Sequence, residues 1–230
     1  MAGADPFTED QVERLLAAAA RRSRRECAWV TLLVHTGFRA QELLKCRVAD
    51  VADGIRVRSQ LTIERRRMKG GRGPRQRAVT GRTVPISSAA ATALCDYLQA
   101  RAVEGTLRPD APLFLSRNGR PLSIWRANVI LKELIIAAGF DGEGRFSTHS
   151  CRKAWAHKLY SETGDLLLVR DGLLHSTVVT TERYLARRYR QAFEITRNLW
   201  STPATGVAEC NERSGDSPYS PVSIRAAEAL

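Results

Sequence analysis

The chain has 230 residues, 43% hydrophobic and 26% charged, enough for a folded domain with a real core. Its 36 Lys and Arg against 24 Asp and Glu give a net charge of +12 and a pI near 10.2, which points to a polyanionic partner, nucleic acid foremost. Met1 to Thr8 lacks a signal-peptide pattern, no apolar run approaches the roughly 18 residues that span a membrane, and the five cysteines form no CxxC pair or zinc spacing. Those features exclude a secreted disulfide scaffold, a membrane protein and a zinc finger.

Only five of the basic residues are lysines. Arginine's rigid fork suits phosphate oxygens, but a GC-rich genome favours Arg as well, so the bias leaves both explanations open.

Thr8, with Gln11 three residues on and Glu9 and Asp10 in the first turn, starts a helix. Its apolar positions (Val12, Leu15, Leu16, Ala19) recur at helical spacing, and it ends in the basic run Arg21 to Arg25. A second helix covers about Cys27 to Thr36 and stops at Gly37; a short third follows from about Arg39 to Leu44. Ile55 to Ile63 alternates as one strand and Thr83 to Ile86 as another. Between them the Gly- and Arg-rich stretch Arg65 to Thr80 reads as a long mobile hairpin loop. Ser88 caps a helix through Leu98, Ser123 caps one to Ala138, a third covers His149 to Tyr160, and shorter helices fill Asp165 to Leu199. Ser201 to Leu230, rich in Pro, Ser and Gly, is expected to be a disordered tail. The expected fold class is α+β, mostly α-helical, with one small antiparallel β-sheet.

Four segments carry chemistry. In Thr36-Gly37-Phe38-Arg39-Ala40-Gln41-Glu42-Leu43 a glycine turn lets a helix start near Arg39, and Glu42, three residues on, shares a face with it. By itself this reads more readily as a surface Arg–Glu ion pair. In Thr148-His149-Ser150-Cys151-Arg152, His149 and Arg152 share one helix face near its start, a place that suits phosphate. Leu173-Leu174-His175 is followed nine residues later by Tyr184. Lys69 is the one lysine of the Arg-rich hairpin.

Taken in this order, the segments resemble the tyrosine recombinases, the family of phage and transposon integrases. That family has a T-G-x-R-x-x-E-L box, a hairpin Lys, an H-x-x-R box, a His or Trp, and a Tyr nine residues later; Arg39, Lys69, His149, Arg152, His175 and Tyr184 match it in order. The resemblance covers about Thr8 to Trp200 and makes residues 1–200 a tyrosine-recombinase catalytic domain. The family's N-terminal core-binding domain is expected to be absent. Two departures stand out. Leu174 replaces the glycine of the usual L-G-H, so the turn is expected to be tighter or shifted, and the hairpin is longer and richer in Arg than usual.

The resemblance implies cleavage of double-stranded DNA without metal or other cofactor, as part of site-specific integration, excision or inversion. Tyr184 would attack the phosphodiester, giving a 3′-phosphotyrosyl bond and a free 5′-hydroxyl that a second hydroxyl reverses. A phenol with a pKa near 10 attacks poorly unaided, so His149 would handle its proton. Arg39 and Arg152 would hold the negative charge of the pentavalent state, His175 would donate to the same phosphate, and Lys69 would protonate the leaving oxygen. Glu42 would support Arg39. Arg65, Arg66, Arg67, Arg72, Arg75 and Arg77 would bind DNA, with Arg82 and the run Arg21 to Arg25 adding to the basic surface. The implied partners are a homotetramer on two duplexes and an accessory DNA-bending protein, in the prokaryotic cytoplasm at the nucleoid, with no membrane. Competing readings are a type IB topoisomerase and a non-catalytic DNA-binding relic or regulator.

Overall fold

The computed structural model describes residues 3–68 and 81–174, together with Thr181. Helix α1 (Glu9–Arg22) opens on the box expected from the sequence. Thr8 Oγ1 accepts from the Gln11 N–H at 3.2 Å, and Gln11 Oε1 accepts from the Thr8 N–H at 3.1 Å. The basic run that follows spans two helices rather than closing one. Ser23, in extended backbone, ends α1 and caps α2 (Arg24–Thr36) by accepting from the Glu26 N–H at 3.1 Å. Helix α2 is the central element: Ala28, Trp29, Val30, Leu32 and Leu33 are fully buried. It packs against α1 and against two helices that come later in the chain.

After two single-turn helices, α3 (Ala40–Leu43) and α4 (Val48–Val51), the chain forms strands β1 (Ala52–Asp53), β2 (Arg56–Val57), β3 (Gln60–Ile63) and β4 (Arg82–Pro85). These make two antiparallel two-stranded sheets, β1–β2 and β3–β4, where one sheet was expected. Ile55 to Ile63 is therefore not one strand. Asp53 pairs with Arg56 around a tight turn at Gly54, which leaves Ile55 47% exposed despite its apolar, in-phase position. In the second sheet Leu61 faces Val84 and Ile63 faces Arg82. Alternation is kept: Leu61, Ile63, Arg82 and Val84 are buried and their neighbours exposed. Arg65–Arg67 adds one 3-10 turn beyond β3.

Helices α5 (Ser88–Val103), α6 (Ile124–Ala137), α7 (Thr148–Thr163) and α8 (Leu166–Leu173) complete the body. Their caps are Ser87, Ser123, Ser147 and Asp165, so the fifth begins one residue earlier than expected and the seventh extends further at both ends. Helices α5 and α7 pack on α2 over one continuous core. A smaller cluster of Ala156, Val169 and Leu173 joins α8 to α7, flanked by Trp155, Leu159 and Tyr160. Each large apolar side chain buried in this way contributes about 1.5–3 kcal/mol. Arg101 is buried at the end of α5 and spends its guanidinium on the carbonyls of Thr106, Pro112 and Leu113. Among the described residues no helix is long and apolar enough to cross a membrane. The expected tail, 201–230, lies outside the described residues.

Candidate functional site

The site grows from the turn between α2 and α3. Thr36 is fully buried; its hydroxyl donates to the Leu32 carbonyl at 2.5 Å and accepts from the Phe38 N–H at 3.4 Å. Gly37 follows with φ +62°, ending α2 and turning the chain. Phe38 is buried, which leaves Arg39 as the N-cap of α3. Glu42 Oε1 accepts from Arg39 Nη1 and Glu42 Oε2 from the Arg39 N–H, both at 2.9 Å. The carboxylate is 2% exposed and the Arg39 side chain 26% exposed. A buried anion thus fixes a guanidinium that still reaches the surface. Arg39 and Glu42, three residues apart, thus form a partly buried ion pair.

Helix α7 supplies the second arginine. Arg152 is 1% exposed; its Nη1 donates to the Gly37 carbonyl and its Nη2 to the Leu173 carbonyl, both at 2.5 Å. One guanidinium therefore joins three of the four sequence segments: the Gly37 turn, the His149–Arg152 helix start, and the end of α8 that leads into His175. His149 sits one turn earlier on α7, exposed, in a first turn tied by Ser147 Oγ accepting the His149 N–H at 3.2 Å.

Sequence reasoning placed Arg82 on the DNA-facing surface. It is instead 6% exposed. Its Nη2 donates to the Thr36 carbonyl at 2.7 Å, and its guanidinium carbon lies 4.5 Å from the Phe38 ring centre and 5.1 Å from that of Trp155. The signal that would have found it is strand alternation, which puts Arg82 on the same face as Val84. Trp155, one turn beyond Arg152, was also missed. A Cβ on Gly37 would come within 2.6 Å of its ring, and one on Gly172 within 2.8 Å, so the indole fills the space that two glycines leave.

Three guanidiniums and one carboxylate make this region electropositive. Burial, then the charge of Arg152, lowers the Arg82 pKa to about 9, which still leaves it charged at neutral pH. Cys151, beside Arg152, is fully buried, and burial raises its thiol to about 12, so it is protonated and inert. A separate basic cavity of about 690 Å³, lined in part by Arg22, Arg25, Arg101 and Arg126, contains none of the motif residues.

A family model described as the phage integrase family matches residues 6–191. The chain belongs to the phage integrase family. It is 35% identical over 161 residues to tyrosine recombinase XerD of Corynebacterium glutamicum, covering 70% of this chain and 47% of that protein. The chain thus spans about half the length of the curated relatives it matches. Among solved structures, that of XerA recombinase aligns with a TM-score of 0.64 at 25% identity, covering 81% of this chain and 63% of that one. XerH site-specific recombinase bound to its palindromic difH substrate, in a post-cleavage complex, aligns at 0.65 and 21% identity over 86% of this chain and 54% of that one, a likeness of fold.

Of the six catalytic candidates of this phage integrase family member, Arg39, His149 and Arg152 are described; Lys69, His175 and Tyr184 lie outside the described residues, as do Arg72, Arg75 and Arg77. In the hairpin, Arg65 is exposed, Arg66 pairs with Glu64 at 2.6 Å, and Arg67 pairs with Asp50 against the body. In the basic run, Arg22 pairs with Glu133 and Arg25 with Glu26.

Leu174, where family members have glycine, makes the turn itself by taking the left-handed conformation (φ 51°, ψ 46°), the one non-glycine described residue that does so. That conformation costs a side-chain-bearing residue about 1–2 kcal/mol. Leu174 also packs partly against the core, so the strain is read from a pair of variants. Leu174→Gly and Leu174→Ala lose similar packing, but only Gly relieves the backbone; it is expected to be the more stable by about 1 kcal/mol in urea unfolding. Equal stabilities would show an unstrained turn.

Proposed function

We propose that this chain cuts and rejoins double-stranded DNA in site-specific recombination, with Tyr184 as nucleophile. The observation that carries the reading is Arg152, whose guanidinium joins the Gly37 turn, the His149 helix start and the Leu173 segment in a member of the phage integrase family. That convergence is what a single phosphodiester-binding site requires.

In the proposed step the Tyr184 oxygen bonds to phosphorus while the bond to the 5′-oxygen breaks. The products are a 3′-phosphotyrosyl link and a 5′-hydroxyl, and the reverse attack by another strand's hydroxyl rejoins DNA. His149, exposed at the start of α7, takes the phenol proton. Arg39, held by Glu42, donates to a non-bridging oxygen, and Arg152 supplies a buried positive charge behind it. Lys69 protonates the departing 5′-oxygen and His175 donates to the phosphate. The working assembly is a homotetramer on two duplexes, aided by a DNA-bending protein.

The test is a nicked suicide duplex built from sequences flanking the chain's own gene. A covalent protein–DNA adduct on a denaturing gel is expected. Relaxation of supercoiled plasmid that lacks those sequences would favour the topoisomerase reading, and gel-shift binding with no adduct would favour a DNA-binding relic.

Because the affinity is proposed to rest on arginine–phosphate contacts, it should fall roughly a hundredfold or more between 50 and 200 mM salt if about five phosphates are neutralised. Fluorescence anisotropy with a labelled duplex reads this directly. An affinity flat over that range would contradict the basic-surface argument.

A further inference from the structure

Arg82 is a charge where packing alone would not place one. Its slot between the Phe38 and Trp155 rings is apolar, and its Nη1 is buried with no hydrogen-bond partner. It forms no ion pair among the described residues. The charged groups acting on it are Arg152 and Arg39, both repulsive, and Glu42, whose oxygens are already taken by Arg39. A neutral side chain of similar length would fill the same slot without desolvating a cation beside two others.

What the guanidinium adds is geometry and field at the turn that presents Arg39. Arg82 Nη2 holds the Thr36 carbonyl and Arg152 Nη1 holds the next one, that of Gly37. Two successive peptide groups are thus fixed by cations from two elements, β4 and α7. Strand β4 is also the strand on which the chain returns from the basic hairpin. A cluster with more positive than negative charge is at its most favourable when an anion lies against it, and more so as that anion gains charge.

We infer that Arg82 is a positioning residue for the phosphate-binding arginines: it locks the Thr36–Phe38 turn that presents Arg39 and adds a buried positive charge behind the phosphodiester. It acts through Arg39 and through its field, without touching DNA. The inference rests on the reaction proposed above.

Its signature is a defect in rate rather than in binding, because the charge it stabilises develops during the reaction. Two variants separate its functions. Arg82→Gln keeps an amide to donate to the Thr36 carbonyl but removes the charge; Arg82→Lys keeps the charge but not the fork. On the nicked duplex at saturation, Arg82→Gln is expected to form adduct about 30- to 100-fold more slowly than wild type, while DNA affinity stays within about threefold. Arg82→Lys is expected to recover to within about tenfold.

A second substrate, with a neutral methylphosphonate at the scissile position, supplies a readout that packing would not move. The penalty of Arg82→Gln should shrink to a few-fold there, since methyl replaces one of the two charge-bearing non-bridging oxygens and lowers the negative charge that Arg82 stabilises. If Arg82→Gln does not melt cooperatively, Arg82→Met, which fills the slot with an apolar stem, carries the same comparison.

Cleavage by the neutral variant within threefold of wild type would overturn the inference, as would an equal penalty on both substrates or equal defects in the Gln and Lys variants. Adduct formation by wild type in the same experiment keeps the two readings apart. If wild type forms adduct and the variants do not differ, only the role of Arg82 falls; if wild type forms none, the proposed reaction falls and takes this inference with it.

Discussion

Arg152→Leu is expected to lower the unfolding free energy by about 3–5 kcal/mol and adduct formation by about a thousandfold or more. The stability loss follows from what the side chain holds. The carbonyls of Gly37 and Leu173 both lose their donor inside the body, and each orphaned buried group costs about 1–3 kcal/mol. The rate loss is larger because the same bonds hold the turn that presents Arg39 against the end of α8. Arg152→Lys separates the two effects. Its ammonium keeps the charge but lacks the planar fork that reaches two carbonyls on different segments, so it should regain part of the stability yet remain about a hundredfold slow. Urea unfolding with single-turnover cleavage measures both. A lysine variant at wild-type rate would mean that the staple is dispensable.

Gly37→Ala is expected to be the most disruptive added methyl group among the described glycines. The added Cβ would sit 2.6 Å from Cδ2 and Cε3 of Trp155, and φ there is +62°. Backbone strain of about 1–2 kcal/mol and an overpacking cost of about 1–3 kcal/mol together predict a loss near 3 kcal/mol. Trp155 must then shift or the turn must open, and opening it withdraws the carbonyl from Arg152 and displaces Arg39. Gly54→Ala is the control. Gly54 has φ +58° but nothing within 4 Å of a built Cβ, so only the backbone cost applies. Thermal or urea unfolding of the pair isolates the contact with Trp155. Equal losses in the two variants would remove Trp155 from the account.

Much of the helical frame was legible because it is locally determined. Thr8 with Gln11, Ser123 before an apolar run, and Gly37 after Thr36 each fix a boundary through their own backbone hydrogen bonds or dihedral angles. The strands were harder. Ile55 keeps the apolar alternation of Val57, Leu61 and Ile63, yet it lies on a hairpin turn set by Gly54, and periodicity cannot tell a turn residue from a strand residue that shares its phase. Ser23 splits a basic run that composition reads as one solvated helix end, because its hydroxyl serves the next helix.

The site was legible as a set of residue types in order and illegible as an arrangement. Arg39 and Glu42 are three residues apart, so their pairing is local. The bonds from Arg152 reach across 115 residues to Gly37, and those of Arg82 across 46 to Thr36. Alternation with Val84 marks Arg82 as inward-facing, but its environment is made by Phe38 and Trp155, which only the fold brings to it. Leu174 is the converse case, where a departure from the family pattern reappears as left-handed backbone at that residue.

The most direct test of the central claim is to locate the protein–DNA bond. The adduct formed on the nicked duplex, with a metal chelator present throughout, is digested with protease and nuclease and mapped by mass spectrometry, with Tyr184→Phe run in parallel. The account predicts a nucleotide remnant on Tyr184 through a 3′-phosphate and no adduct from the Phe variant. A remnant on any other residue, or an adduct that survives Tyr184→Phe, would contradict it.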